Sequence, residues 1–164
     1  MTRYVDSLES PLGLLRIEAD ETHVLAVLYD RAEGLAGQPN DVTHKCKSQL
    51  SEYFKGERTV FDVSFKLQGT AFQDSVWTAL LEIPFGKTAT YGEQAMRLQK
   101  PKAVRAVGAA NGRNKINIIV PCHRVIGSSG SLIGYGGGLE RKRWLLDHEN
   151  SVAKASSDRH SNDA

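Results

Sequence analysis

The sequence predicts a mixed α/β (α+β) protein: a small β-rich amino-terminal domain with one helix, followed by a helical domain. Three observations carry this. Strand-length apolar runs fill the first 30 residues, Thr-x-x-Gln/Glu capping signatures recur twice after residue 69, and a helical apolar stripe follows each signature.

Tyr4 to Leu8, Leu14 to Ala19 and Val24 to Tyr29 read as strands, with Ser10-Pro11-Leu12-Gly13 as the first turn, so the chain opens as an antiparallel meander. Residues 30–41 hold Gly, Pro and Asn without periodicity. Val42, Cys46, Leu50, Tyr53 and Phe54 then recur at helical spacing until Gly56 stops the helix. Phe61, Val63 and Phe65 alternate as one face of a strand, and the first domain is assigned to residues 1–69.

Thr70 with Gln73 opens a helix whose stripe is Phe72, Val76, Leu80 and Ile83, ending at Pro84. Thr90 with Glu93 opens a short helix through Leu98. Pro101 sits where the next helix can start; Ala103, Val104, Val107 and Ala110 mark its apolar face, and Asn111-Gly112 ends it. Two short helices so joined are a candidate helix-turn-helix, although helical hairpins also occur in proteins that never touch DNA. The second helix carries almost no bulk beyond Lys102 and Arg105. Its Ala106, Gly108 and Ala109 let the backbone approach another surface closely, a property that tight helix packing uses equally.

Ile116 to Val120 delivers the chain to Pro121-Cys122-His123-Arg124-Val125. Six glycines follow within residues 127–138, leaving backbone groups free to line a ligand. Leu139 to Glu149 reads as a terminal helix with Trp144 and Leu145 inward, closing a second domain over 70–149. Residues 150–164 are polar and aperiodic and are expected to be a mobile tail.

Of the 164 residues 40% are apolar and 24% charged, which excludes a disordered chain. No apolar run approaches the ~20 residues that span a bilayer, and the amino terminus shows no signal segment, so a soluble cytoplasmic protein is expected. Two cysteines, Cys46 and Cys122, are too few for a disulfide framework. The net charge of +2 hides an asymmetry. Residues 1–83 carry 8 Lys+Arg against 13 Asp+Glu, and residues 84–149 carry 11 against 4. A basic second half suits a polyanion, though charge alone slightly favours an ordinary solvated surface.

A thiol becomes nucleophilic when ionised, which a base or a helix start favours. Pro121 suits a first helical turn and His123 adjoins Cys122, but neighbouring side chains point apart, so a bridging water is expected between them. Glu149 is the carboxylate expected to orient the imidazole. For an arbitrary Cys-His pair, a buried structural cysteine is the commoner explanation.

The larger constellation decides the matter. Pro121-Cys122-His123-Arg124-Val125-Ile126, then Gly134-Tyr135-Gly136-Gly137-Gly138 and Trp144-Leu145-Leu146-Asp147-His148-Glu149, resembles the O6-alkylguanine-DNA alkyltransferases. The resemblance reaches back through Asn114, the Arg105 helix and Tyr91-Gly92 to Ile83-Pro84-Phe85-Gly86 and Phe72-Gln73-Val76-Trp77, strong after Gly69 and weak before it. It implies single-turnover transfer of an alkyl group from O6 of guanine, less readily from O4 of thymine, to Cys122. It further implies that Glu149 orients His123, that His123 deprotonates Cys122 through water, and that the Tyr91 hydroxyl meets N3 of the base. Asn114 is the matching hinge; the carbonyls of Cys122 and Val125 and the amide of Gly136 match contacts to the guanine edge beneath Tyr135.

Because O6 is buried in the duplex, the nucleotide must rotate out. The resemblance places Arg105 in the vacated stack and its helix in the minor groove, with Lys102, Ala106, Gly108, Ala109, Arg113, Lys115 and Arg124 as further DNA contacts. The chain is expected to act as a monomer, with cooperative binding along DNA left open, and without cofactor or metal. Lys115 stands where the family usually has proline. No Cys/His cluster suits the structural zinc of some relatives, the regulatory domain that others carry is not expected, and Cys122 separates the chain from lesion binders that lack it. A non-enzymatic DNA-binding protein and a cysteine hydrolase are the competing readings: the first leaves Cys122, His123 and Glu149 without a purpose, the second the Arg105 helix.

Overall fold

Leu15, Ile17 and Ala19 occupy alternate positions of one strand, and their complete burial fixes the face of the first sheet that meets the core. The computed structural model, which describes residues 3–29 and 37–162 with side chains as far as 157, builds this sheet from β1 (Tyr4–Ser10), β2 (Gly13–Ala19) and β3 (Val24–Tyr29). The order is β1-β2-β3, antiparallel throughout, as the meander reading expects. Gly13 turns the chain at φ +98°, and Ser10 Oγ donates to its carbonyl at 2.7 Å. Residues 30–36 of the aperiodic stretch lie outside the described residues.

α1 (Asp41–Phe54) packs on β1 and β2 with Cys46, Leu50 and Tyr53 inward. Asn40 caps it reciprocally with Thr43, and Gly56 ends it at φ +77°. The stretch read as a strand, Phe61 to Phe65, keeps its alternation with Val63 buried, yet forms only the single bridge Val24 to Phe65. The reason is local: the Asp62 amide donates to the Gln49 side chain instead of joining a ladder. Further along the same edge of β3, Val27 N donates to Lys115 O and Asn117 N to Val27 O, which joins the two halves of the molecule. β3 is buried at every position from Val24 to Val27, on both faces of the sheet.

α2 (Ala71–Leu80), α3 (Tyr91–Arg97) and α4 (Val104–Gly112) form the helical half. Both expected capping boxes are present, Thr70 with Gln73 and Thr90 with Glu93. α4 starts three residues after Pro101, because Pro101 and Lys102 are taken into a turn closed by Ala103 N on Lys100 O. Trp77 Nε1 donates to Ala110 O at 2.8 Å, and Gln94 and Asn111 exchange amide hydrogen bonds, so buried polar ties hold α4 against α2 and α3.

A short parallel pair, β4 (Ala89–Thr90) with β5 (Val125–Ile126), was not readable from sequence, since two residues carry no periodicity. α5 (Leu139–Asn162) runs well past Glu149. The stretch expected to be a mobile tail is helical as far as Asn162. Extending an existing helix needs no new nucleus, and half-buried Val152 and Ala153 pack near Gly56 and Gly86. No helix among the described residues is long and apolar enough to cross a membrane.

Candidate active site

Cys122 opens a three-residue 3-10 turn that leads straight into β5. Because β5 pairs with β4 in the register Ala89 to Val125, and Thr90 is the N-cap of α3, Tyr91 is brought within electrostatic reach of the thiol. Cys122 is 5% exposed. Its donor is Asn114 Nδ2 at 3.2 Å, and not the free amides of a helix start that Pro121 suggests, for Cys122 N already bonds Val120 O. Burial pushes the thiol up to about 11, against the pull of the Asn114 amide and the Lys142 charge, so at neutral pH it is protonated and needs a base.

Asn114 is the junction between α4 and this turn. Its Nδ2 also donates to Val120 O at 2.8 Å, and its Oδ1 accepts from Ile116 N at 2.9 Å. Between the two, Asn117 Nδ2 donates to Val27 O, and Ile118 is held at φ +74°, a costly conformation for a β-branched residue.

His123 is fully buried, with Nε2 2.7 Å from Glu149 Oε2. Glu149 also accepts from Tyr53 Oη at 2.7 Å and from Arg124 Nε at 2.8 Å and Nη2 at 3.1 Å. Burial opposes ionisation of this carboxyl, but the hydrogen bond from His123 and the hydrogen bonds and charge of Arg124 hold it well below the usual carboxylate range. Burial also lowers His123, with Glu149 pulling the other way. The resting pair is carboxylate and neutral imidazole. An ionised carboxylate accepts only, so the imidazole proton sits on Nε2 and the lone pair on Nδ1. That Nδ1 is buried with no hydrogen-bond partner among the described residues.

Two residues read as DNA contacts lie elsewhere. Arg124 is only 7% exposed; it binds Glu149, donates to Ile83 O at 2.7 Å and stacks over Phe85, leaving no face for a phosphate. Gly108 is half-buried and turned toward the Tyr91 ring, because it falls on the side of α4 that packs on α3. Lys102, Arg105, Ala106, Ala109, Arg113 and Lys115 are exposed. On α4 itself, Arg105 therefore stands among small side chains.

Val125 is buried and its amide donates to Cys122 O. Tyr91 Oη donates to Ile133 O at 2.8 Å. Tyr135 is buried with Oη 2.6 Å from Tyr29 Oη, while Gly136 is exposed and passes close to Gly112 O. Sequence reasoning missed Lys142, Tyr53 and Tyr29. Lys142 is fully buried, donates to Ile133 O at 2.7 Å and lies 3.5 Å from Tyr91 Oη; burial draws its amine down to about 8, with Cys122 opposing. A signal for it existed, since Lys142, Leu145 and Glu149 share one face of a helix at i, i+3 and i+7. Tyr53 and Tyr29 lie far from the motif and carried none. Among the described residues no three His, Cys, Asp or Glu side chains cluster as metal ligands.

This fold and site define a protein that keeps a buried cysteine, with its own acid-base partners, behind an exposed helix of small residues. Residues 4–67 match the ribonuclease-like domain, and residues 71–151 the DNA binding domain, of 6-O-methylguanine DNA methyltransferase. A methylated-DNA–protein-cysteine methyltransferase of Methanosarcina mazei is 48% identical over 157 residues, covering 92% of this chain and 99% of the relative. One from Mycolicibacterium paratuberculosis is 56% identical over 157 residues, 92% and 94% of the two chains. The crystal structure of Mycobacterium tuberculosis O6-methylguanine methyltransferase superposes with a TM-score of 0.83 at 45% identity, covering 92% of this chain and 94% of that one. The M. tuberculosis OGT solved in complex with DNA matches equally well, over 93% and 94%. The chain belongs to the 6-O-methylguanine DNA methyltransferase family.

Proposed function

We propose that this chain repairs DNA by direct reversal, as a single-turnover methylated-DNA–protein-cysteine methyltransferase: it moves the alkyl group from O6 of guanine, less readily from O4 of thymine, to Cys122. The observation that carries the reading is one buried group, Asn114 on the Cys122 thiol and Glu149 on its neighbour His123, placed at the inner end of the exposed small-residue helix.

The thiol proton passes through a water to His123 Nδ1, leaving an imidazolium against ionised Glu149. The sulfur then attacks the alkyl carbon; the S–C bond forms, the C–O6 bond breaks, and the electron pair stays on guanine, whose departure as the anion the Tyr91 hydroxyl assists by donating a hydrogen bond to N3. To reach N3, Tyr91 exchanges Ile133 O for the base, and Lys142 keeps that carbonyl satisfied when it does. The Cys122 and Val125 carbonyls and the Gly136 amide meet the guanine edge beneath Tyr135. A thioether has no ready leaving route, so each molecule acts once.

In this reading α3 and α4 serve as a helix-turn-helix, with Ala106 and Ala109 entering the minor groove and Arg105 filling the stack behind the extruded nucleotide. Lys102, Arg113 and Lys115 are placed for phosphates. The protein works as a monomer in the cytoplasm. Duplex carrying a labelled methyl at O6 of guanine separates this reading from its rivals: a DNA-binding protein without activity gains no label, a hydrolase gains it transiently, and the alkyltransferase keeps it.

A further inference from the structure

We propose that Tyr29, the last residue of β3, is a positioning residue for base recognition: it is the hold of the amino-terminal half on Tyr135 and, through it, on the glycine-rich segment beside Cys122. The inference rests on the function proposed above.

The contact is built from several independent parts. Tyr29 Oη lies 2.6 Å from Tyr135 Oη, and the rings meet edge to face with centroids 6.0 Å apart. The Tyr29 ring also presses on Gly137, where an added Cβ would stand 2.6 Å from Cε2, so only glycine lets the chain pass this close. On its other side the Arg141 guanidinium lies 4.7 Å from the Tyr29 ring centroid, and it donates to Gly137 O at 3.2 Å and Leu12 O at 3.0 Å. Tyr29 and Leu12 come from the first half of the chain, Gly137 and Arg141 from the second. The clamp therefore ties the glycine-rich segment to the same β3 strand that holds Lys115 and Asn117.

The hydroxyl protons give the clamp a second consequence. Each phenol has one proton, one of them is shared between the two oxygens, and no other described residue bonds either hydroxyl. One donor remains for a ligand. Both rings lie within electrostatic reach of Cys122, and burial raises both phenols, so both keep their protons at neutral pH. Tyr29 thus fixes the plane of Tyr135 and leaves the pair one hydrogen bond to offer the base, without touching the reacting atoms itself.

The test uses the full chain and free O6-benzylguanine as probe, following benzylation of Cys122 across concentrations. Tyr29→Phe is expected to raise the half-saturating concentration about fivefold, the loss of roughly one hydrogen bond, while the limiting rate falls less than twofold. Tyr29→Phe combined with Tyr135→Phe is expected to be no worse than Tyr135→Phe alone, since both remove the same bond. A merely structural role would lower the thermal midpoint and leave half-saturation where it was. An unchanged half-saturation in Tyr29→Phe, or losses that multiply in the double variant, overturns the inference while the proposed function stands. Absence of benzylation in the unmodified protein overturns the proposed function and this inference with it. Should Tyr29→Phe not fold, Tyr135→Phe must show a rise in half-saturation of at least this size, and its absence is equally fatal.

Discussion

Glu149 is 1% exposed and satisfies three side chains, Tyr53, His123 and Arg124, drawn from α1 and the Cys122 turn. A buried ion pair is costly to break, because the partner left behind keeps its charge without a counter-charge. Glu149→Gln leaves the Arg124 guanidinium in that state and should lower the unfolding free energy by about 3 kcal/mol at neutral pH, read by urea denaturation. The pH dependence has a definite sign. The folded carboxyl titrates well below the unfolded value of roughly 4.3, so its contribution is complete above that pH and is lost as pH falls toward the folded value. The advantage of the native protein over Glu149→Gln should shrink below pH ~4; an advantage that stays constant on acidification would mean that the charge does not hold the cluster. At this scale Cys122, His123 and Glu149 were legible because one motif carries them together. The burial of Arg124 was not legible, since a positive charge beside the motif looks the same in sequence whether it faces a phosphate or a buried carboxylate.

Elements with local punctuation were legible in the same way. Capping boxes at Thr70 and Thr90 and the stop at Gly56 act within four residues, so their meaning does not depend on the rest of the fold. The stretch Phe61 to Phe65 was not, for alternation reports which side is buried and not whether a neighbouring backbone is free to pair. The end of α5 was hidden because polar sequence says little once a helix is already nucleated. α4 is the element on which the DNA reading depends: Arg105 is exposed and the neighbouring positions are small. Arg105→Ala should weaken repair of duplex far more than reaction with free O6-benzylguanine, because only the duplex requires an extruded nucleotide. Equal losses on both substrates would place Arg105 in the chemistry or the fold instead.

Over the whole molecule, charge is divided as the elements are. The acidic amino-terminal half carries the sheet that holds β3 against Lys115 and Asn117, and the basic half carries α4 and the cysteine turn. Contacts made mainly to phosphates give affinity that falls with salt and depends little on sequence. Lys115, whose backbone is fixed on β3 while its side chain is exposed, is placed to contribute one such contact. Lys115→Pro should reduce the slope of log K against log salt by about one for unmodified duplex and leave the free-base reaction intact. An unchanged slope would make Lys115 a solvated neighbour of the hinge.

Direct-reversal repair by this protein requires Cys122 to be a stoichiometric acceptor. Cys46 is the internal control: it is buried on the inner face of α1, and burial, with the Asp6 carboxylate adding to it, pushes its thiol up to about 12. The measurement is peptide mass spectrometry of the full chain after incubation with excess duplex containing O6-methylguanine, with the repaired lesions counted in parallel. One methyl on Cys122, none on Cys46, and one lesion removed per protein molecule is the predicted result. A methyl found on any other residue, or many lesions removed per molecule, would contradict it.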